Sequence, residues 1–198
     1  MKTTVYLIRH AESDHEIRDA KTRPLTPKGL KDADSLAGFF TDIPVTRIFS
    51  SPYLRAVQTI APLSNEKNLP CQTDDRIREW MGGRPFPHEL FENRMREMFE
   101  DESFTGSGAE SLKALKKRTR EFIMHLLSRY PGETIVAGTH ALAMTAAAKN
   151  YDDSIGLEFL FNLLPVAPYV IKMTFEGFEP VCMRFFDPLT DKIPAQEE

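Results

Sequence analysis

The chain has 198 residues with 41% apolar and 27% charged side chains, and a formal net charge of −4. That is enough chain to bury one sizeable core, and the negative balance argues against a general nucleic-acid binder, which would present a basic face. No apolar run reaches the length of a membrane span, the N-terminus reads as a strand and not as a signal peptide, and two cysteines make neither a disulfide framework nor a ligand cluster. A single cytoplasmic domain with no membrane or nucleic-acid partner is expected.

Residues 4–8 are β-branched, aromatic or aliphatic without a break, the pattern of a strand buried on both faces in the middle of an α/β sheet. Its carboxyl end switches at once to Arg9, His10 and Glu12, where open α/β sheets gather their ligands. After a polar loop carrying His15, Arg18 and Arg23, Thr26-Pro27 supplies a hydroxyl cap and a first-turn proline. The helix it opens carries Leu30, Ala33, Ala37 and Phe40 at helical spacing and ends before Pro44. Residues 45–49 form a second strand. Ser50-Ser51-Pro52 opens another helix, with Tyr53, Val57 and Ile60 on one face and Pro62 ending or kinking it. Arg55 falls in its first turn, where unpaired backbone N–H groups suit an anion, although a surface arginine reads the same way.

A short strand is expected within residues 69–75, then Arg78-Glu79-Trp80 leads into a loop and a helix with Phe91, Met95 and Met98 on one face. Ser107 and Glu110 have capping-box spacing before a long amphipathic helix through Leu112, Leu115, Phe122 and Leu126, closed by Pro131-Gly132. Its Lys113, Lys116, Lys117, Arg118 and Arg120 read as a solvated face. Residues 134–137 repeat the opening plan, an apolar strand followed by Gly138-Thr139-His140 and an alanine-rich helix. A final hairpin turns at Gly177, and the last dozen residues read as a frayed tail.

Two strand-end histidines with Arg9, Arg55 and Glu79 make a coherent phosphoryl-transfer set. The ordered pieces Leu7-Ile8-Arg9-His10-Ala11-Glu12, Leu25-Thr26-Pro27-Lys28-Gly29, Ser50-Ser51-Pro52-Tyr53-Leu54-Arg55-Ala56-Val57-Gln58-Thr59, Arg78-Glu79, Gly108-Ala109-Glu110-Ser111-Leu112 and Gly138-Thr139-His140 resemble the histidine phosphatase superfamily, also called phosphoglycerate-mutase-like. The resemblance implies a three-layer α/β/α sandwich with a mostly parallel sheet and a phosphomonoester hydrolase that uses no metal or other cofactor. It gives His10 the role of phosphoryl acceptor, Arg9, Arg55 and His140 that of holding phosphoryl oxygens, and Glu79 that of the acid for the leaving oxygen. Like-charge repulsion from two guanidinium groups would keep His10 neutral, as attack requires.

Ala11 and Ala141 stand where the family often has glycine, and Glu16 where its mutases carry an asparagine. A carboxylate at 16 would repel a phosphoryl group, which weighs against the alternative of a phosphoglycerate-type mutase. A binding module with lost catalysis would lack His10, His140 or Glu79, and all three are present. Residues 80–108 are expected to form a lid, with Arg84, Phe86, Arg94 and Arg96 as candidate contacts to a phosphorylated small molecule. Arg23-Pro24-Leu25-Thr26 is similar to phosphatases acting on phosphoproteins, so that substrate class stays open, as does the oligomeric state.

Overall fold

The computed structural model describes residues 1–82, 90–106 and 108–191. A six-stranded sheet runs in the order β3-β2-β4-β1-β5-β6, with β1 (Lys2–Arg9), β2 (Arg47–Ser50), β3 (Cys71–Thr73) and β4 (Thr134–Thr139) mutually parallel. The hairpin of β5 (Tyr169–Glu176) and β6 (Glu179–Phe186) adds to it, with β5 antiparallel to β1. β1 and β4 lie at the centre, as their unbroken apolar runs require.

Alternate residues of β1 serve the two faces. Val5 and Leu7 pack with α4 (Leu112–Arg129), α5 (Ala141–Lys149), α6 (Leu157–Leu163) and the inner side of α3 (Phe91–Glu100). Tyr6 and Ile8 pack with α1 (Pro27–Phe39) and α2 (Leu54–Lys67) on the other face. This is the expected α/β/α sandwich. Phe122 is fully buried and meets Phe49 edge-on at 5.7 Å. Truncating such a ring to alanine typically costs about 3–5 kcal/mol.

Several local expectations change. In α1 the inward positions are Gly29, Ala33, Leu36, Ala37 and Phe40, and Leu30 is 46% exposed. A Cβ at position 29 would lie 2.1 Å from the Glu12 carbonyl oxygen, so α1 rests on the loop after β1 only because position 29 has no side chain. Thr26 caps α1 as expected, accepting from the Gly29 N–H. α2 begins one residue after Tyr53, with no side-chain cap, and runs through Pro62 to Lys67 because Ile60 and Leu63 anchor it in the core on both sides of the proline. Ser107 lies outside the described residues; the side chain that caps α4 is Ser111, which accepts from the Ala114 N–H. α6 is not among the expected elements, although Leu157, Leu160, Phe161 and Leu164 stand at helical spacing.

Register places the chemistry. β1 and β4 pair with Ile8 opposite Gly138 and Arg9 opposite Thr139, so the next residue of each strand, His10 and His140, emerges at the same end of the sheet. β2 pairs Ser50 with Gly138, which brings Ser51 to the same edge. Gly138 permits this approach, since a Cβ there would meet Ile60 Cγ1 at 2.5 Å.

Candidate active site

Two backbone bonds carry the sheet past its strand ends, from the His10 N–H to the Thr139 carbonyl at 3.0 Å and from the Ser51 N–H to the Gly138 carbonyl at 2.7 Å. The His10 ring is then oriented at both nitrogens. Nδ1 lies 2.7 Å from the Ala11 carbonyl, which can only accept, so Nδ1 carries the proton. Nε2 accepts from Arg55 Nε at 2.9 Å and therefore presents its lone pair. Burial lowers the His10 pKa well below its ordinary value, and the charges of Arg55 and Arg9 add to this. The ring is neutral at physiological pH with a nucleophilic Nε2.

His140 is fully buried, edge-on to His10 with ring centroids 5.2 Å apart, and edge-on to Tyr53 at the same separation. Its Nε2 is 2.7 Å from Ser51 Oγ, while its Nδ1 is buried with no protein partner. Ser51 Oγ also accepts from the Tyr53 N–H at 3.3 Å; its second lone pair can accept from Nε2–H, or its own proton can be donated to Nε2. In the second arrangement the ring proton resides on Nδ1, which then is an unused donor. Burial above all, with the charge of Arg55 adding to it, keeps His140 neutral.

The arginines are held from behind. Arg9 Nη1 donates to the carbonyls of Leu163, Leu164 and Val166 at 2.7, 2.8 and 2.6 Å, capping the C-terminal end of α6. Its Nε is buried without a partner. Arg55 sits in the first turn of α2, donates from Nη1 to the Ala20 carbonyl, and lies 5.1 Å over the Tyr53 ring. Thr59 locks the two elements together, accepting from the Ala11 N–H at 3.0 Å and donating to the Arg55 carbonyl at 2.7 Å.

Glu79 follows a 3-10 turn (Asp75–Ile77) that Thr139 Oγ1 ties to the end of β4 through the Ile77 carbonyl at 2.7 Å. Its Oε1 accepts from the Trp80 N–H at 2.8 Å and from the Ala143 N–H, in the first turn of α5, at 3.2 Å. Burial raises the Glu79 pKa, and these two bonds and the charges of Arg55 and Arg118 oppose the rise. Glu79 in turn steadies the charged forms of both Arg9 and Arg55. The set can therefore hold an anion with guanidinium and imidazole N–H groups, offer it a neutral nucleophile, and keep a carboxyl group whose proton is retained above the usual range.

Arg84 and Phe86 lie outside the described residues. Arg94 stacks on Phe104 at 5.6 Å and Arg96 lies 6.0 Å from the Phe161 ring, so both arginines lean on aromatic neighbours. Arg118, read from sequence as part of a solvated face, is an inward-facing side chain only 11% exposed and ion-paired to Glu110. Its spacing with Leu115 and Phe122 on α4 was the available signal. The α6 carbonyls behind Arg9 left none, since a backbone acceptor has no residue signature. A separate cavity of about 770 Å³ runs along the outer side of α4, lined by Lys113, Lys116, Arg120 and His125, and includes none of the residues above.

Comparison with known proteins matches residues 5–187 to the histidine phosphatase superfamily, branch 1. Phosphoserine phosphatase 1 of Hydrogenobacter thermophilus is 28% identical over 151 residues, covering 71% of this chain and 72% of that protein. Fructose-2,6-bisphosphatase TIGAR of Xenopus tropicalis is 29% identical over 132 residues, 61% of this chain and 48% of that protein. In fold, the chain resembles a phosphoserine phosphatase of Entamoeba histolytica solved with phosphoserine, with a TM-score of 0.77 at 20% identity, covering 92% of this chain and 96% of that one. The chain belongs to the histidine phosphatase superfamily and is a phosphoric monoester hydrolase.

Proposed function

We propose that this hydrolase works through a phosphohistidine on His10 and that its substrate is a small phosphorylated molecule with an alkyl leaving group. The observation that carries the reading is the His10 tautomer: Nδ1–H is bound to the Ala11 carbonyl and the Nε2 lone pair faces Arg55. In the first step Nε2 attacks phosphorus, the ester P–O bond breaks, and the leaving alkoxide takes the Glu79 proton. In the second, the Glu79 carboxylate takes a proton from water as its oxygen attacks phosphorus. The P–N bond breaks, inorganic phosphate departs and His10 returns neutral. Splitting the reaction this way is covalent catalysis, and its charge is stabilised by positioned donors. Arg9 Nε, the Arg55 guanidinium and His140 Nδ1–H hold the phosphoryl oxygens in this scheme, and it assigns no metal. The scheme treats the chain as one domain with residues 80–108 as its lid, α3 lying within that stretch. The free cysteines Cys71 and Cys182 support a reducing, cytoplasmic setting, and no described helix is long and apolar enough to cross a membrane.

Acid-quenched and base-quenched turnover of a ³²P-labelled alkyl phosphate tests the scheme. A label on the protein that survives base and is lost in acid is expected, and His10→Ala should abolish both label and turnover. Undiminished turnover in His10→Ala would overturn the covalent mechanism.

A further inference from the structure

Glu79 lies on irregular chain, immediately after a 3-10 turn and before a loop, yet a general acid must meet one leaving oxygen at hydrogen-bond distance. Its own two hydrogen bonds fix one carboxylate oxygen and leave the backbone path unexplained. That path is set from α4. Arg118 Nη1 donates to the carbonyls of Arg76 at 2.7 Å and Arg78 at 2.8 Å, and Nη2 donates to the Glu79 carbonyl at 3.2 Å. The remaining N–H groups meet the Glu110 carboxylate, Nε to Oε1 at 2.6 Å and Nη2 to Oε2 at 2.9 Å. All five guanidinium donors are thus used, three on the chain leading to Glu79 and two on a carboxylate that is itself 9% exposed.

Glu110 completes the arrangement on the far side of Glu79. Its carbonyl accepts from the Trp80 indole N–H, and its N–H donates to the Met81 carbonyl at 2.9 Å. The residues before Glu79 are held by the Arg118 side chain, and those after it by the Glu110 backbone. The two clamps are joined by a bidentate ion pair.

We propose that Arg118, seated by Glu110, is the positioning residue for Glu79 in proton transfer to the leaving group. The proposal rests on the reading of Glu79 as the acid. A buried pair with every donor satisfied could serve stability alone, but a fork aimed at the carbonyls of residues 76, 78 and 79 restrains the one segment whose displacement would carry the acid away from the ester oxygen. Lysine cannot replace it, because an ammonium keeps the charge but lacks the planar fork that reaches three carbonyls and a carboxylate together.

The test is the dependence on leaving group in single-turnover kinetics. Arg118→Lys should slow phosphoryl transfer from an alkyl phosphate by about tenfold or more, a part of the 10²–10⁴ a general acid supplies, and should slow transfer from p-nitrophenyl phosphate by less than about threefold, because that phenolate leaves without a proton. In a Glu79→Gln background the same substitution should add less than about twofold, since two changes acting through one group are not additive. Equal slowing of both substrates in a folded enzyme, or full additivity with Glu79→Gln, would overturn the proposal while leaving the acid in place. If Glu79→Gln alone spares alkyl phosphates, the acid reading fails and the positioning role falls with it. Should Arg118→Lys not fold, Glu110→Gln, which keeps the shape and removes the charge, is held to the same criteria.

Discussion

Arg55 donates from Nε to Nε2 of His10 at 2.9 Å, so the lone pair proposed to attack phosphorus is engaged by one of the cations proposed to receive the phosphoryl group. The geometry joins two tasks. The bond aims the imidazole and keeps it neutral, and a phosphate arriving between them would take the guanidinium's donors while leaving Nε2 facing phosphorus. Arg55 Nη1 is separately anchored on the Ala20 carbonyl.

Arg55→Lys is therefore not a conservative change. An ammonium in its place lacks the planar fork that serves the Ala20 carbonyl, His10 Nε2 and a phosphoryl group from fixed directions, and it no longer aims His10. We expect kcat/KM to fall by about 10²-fold and the inhibition constant for vanadate to rise at least tenfold, with little change in Tm, on the scale of one lost charge-assisted hydrogen bond network. Unchanged vanadate inhibition would place Arg55 outside the anion site.

Ser51 determines what His140 can donate. When its hydroxyl donates to Nε2, 2.7 Å away, the ring proton sits on Nδ1. Ser51→Ala should release this constraint and populate the other tautomer, which turns a donor toward phosphate into a repelling lone pair. Long-range ¹H–¹⁵N correlation spectra should show the Nδ1–H form in the parent protein and a shift toward Nε2–H in the variant, accompanied by a rise of about tenfold in the vanadate inhibition constant. Rescue of both readouts by Ser51→Thr would assign the effect to the hydroxyl. An unchanged tautomer in Ser51→Ala would remove the role.

The two histidines also set the acid limit of stability. Their folded pKa values lie well below the ordinary one, chiefly through burial, so the folded state refuses protons that the unfolded chain accepts below about pH 6.5. Stability should be full above that pH and fall as pH drops below it, by up to about 1.4 kcal/mol per pH unit for each histidine until its folded pKa is reached. Glu79 works in the opposite sense: its raised pKa gives the folded state a proton that the unfolded chain has released, so its contribution is lost as pH rises above the ordinary carboxyl range. Urea unfolding between pH 7.5 and 5 should therefore show a shallower loss for His140→Gln and a steeper one for Glu79→Gln. Parallel curves for all three proteins would mean that neither group is perturbed by folding.

Much of the molecule was legible in the order of its residues. Unbroken apolar runs before His10 and His140 marked central strands, because only a strand covered on both faces can afford no polar alternation. Thr26-Pro27 marked a helix start, and Arg55 fell in the first turn of the next helix, as its place after Ser50-Ser51-Pro52 suggested. These are local properties, carried by side-chain chemistry within a few positions. The tertiary structure decided the rest. Whether His10 and His140 meet depends on the pairing of Ile8 with Gly138, which relates positions 130 residues apart. Whether Arg118 faces solvent or reaches the 76–79 turn depends on how α4 rolls against the sheet, and a helical pattern leaves its boundary positions undecided by one residue in either direction. The carbonyls behind Arg9 and Arg118 belong to the backbone, which is the same at every residue; only the folded path distinguishes them, so no amount of reading side chains could have found them.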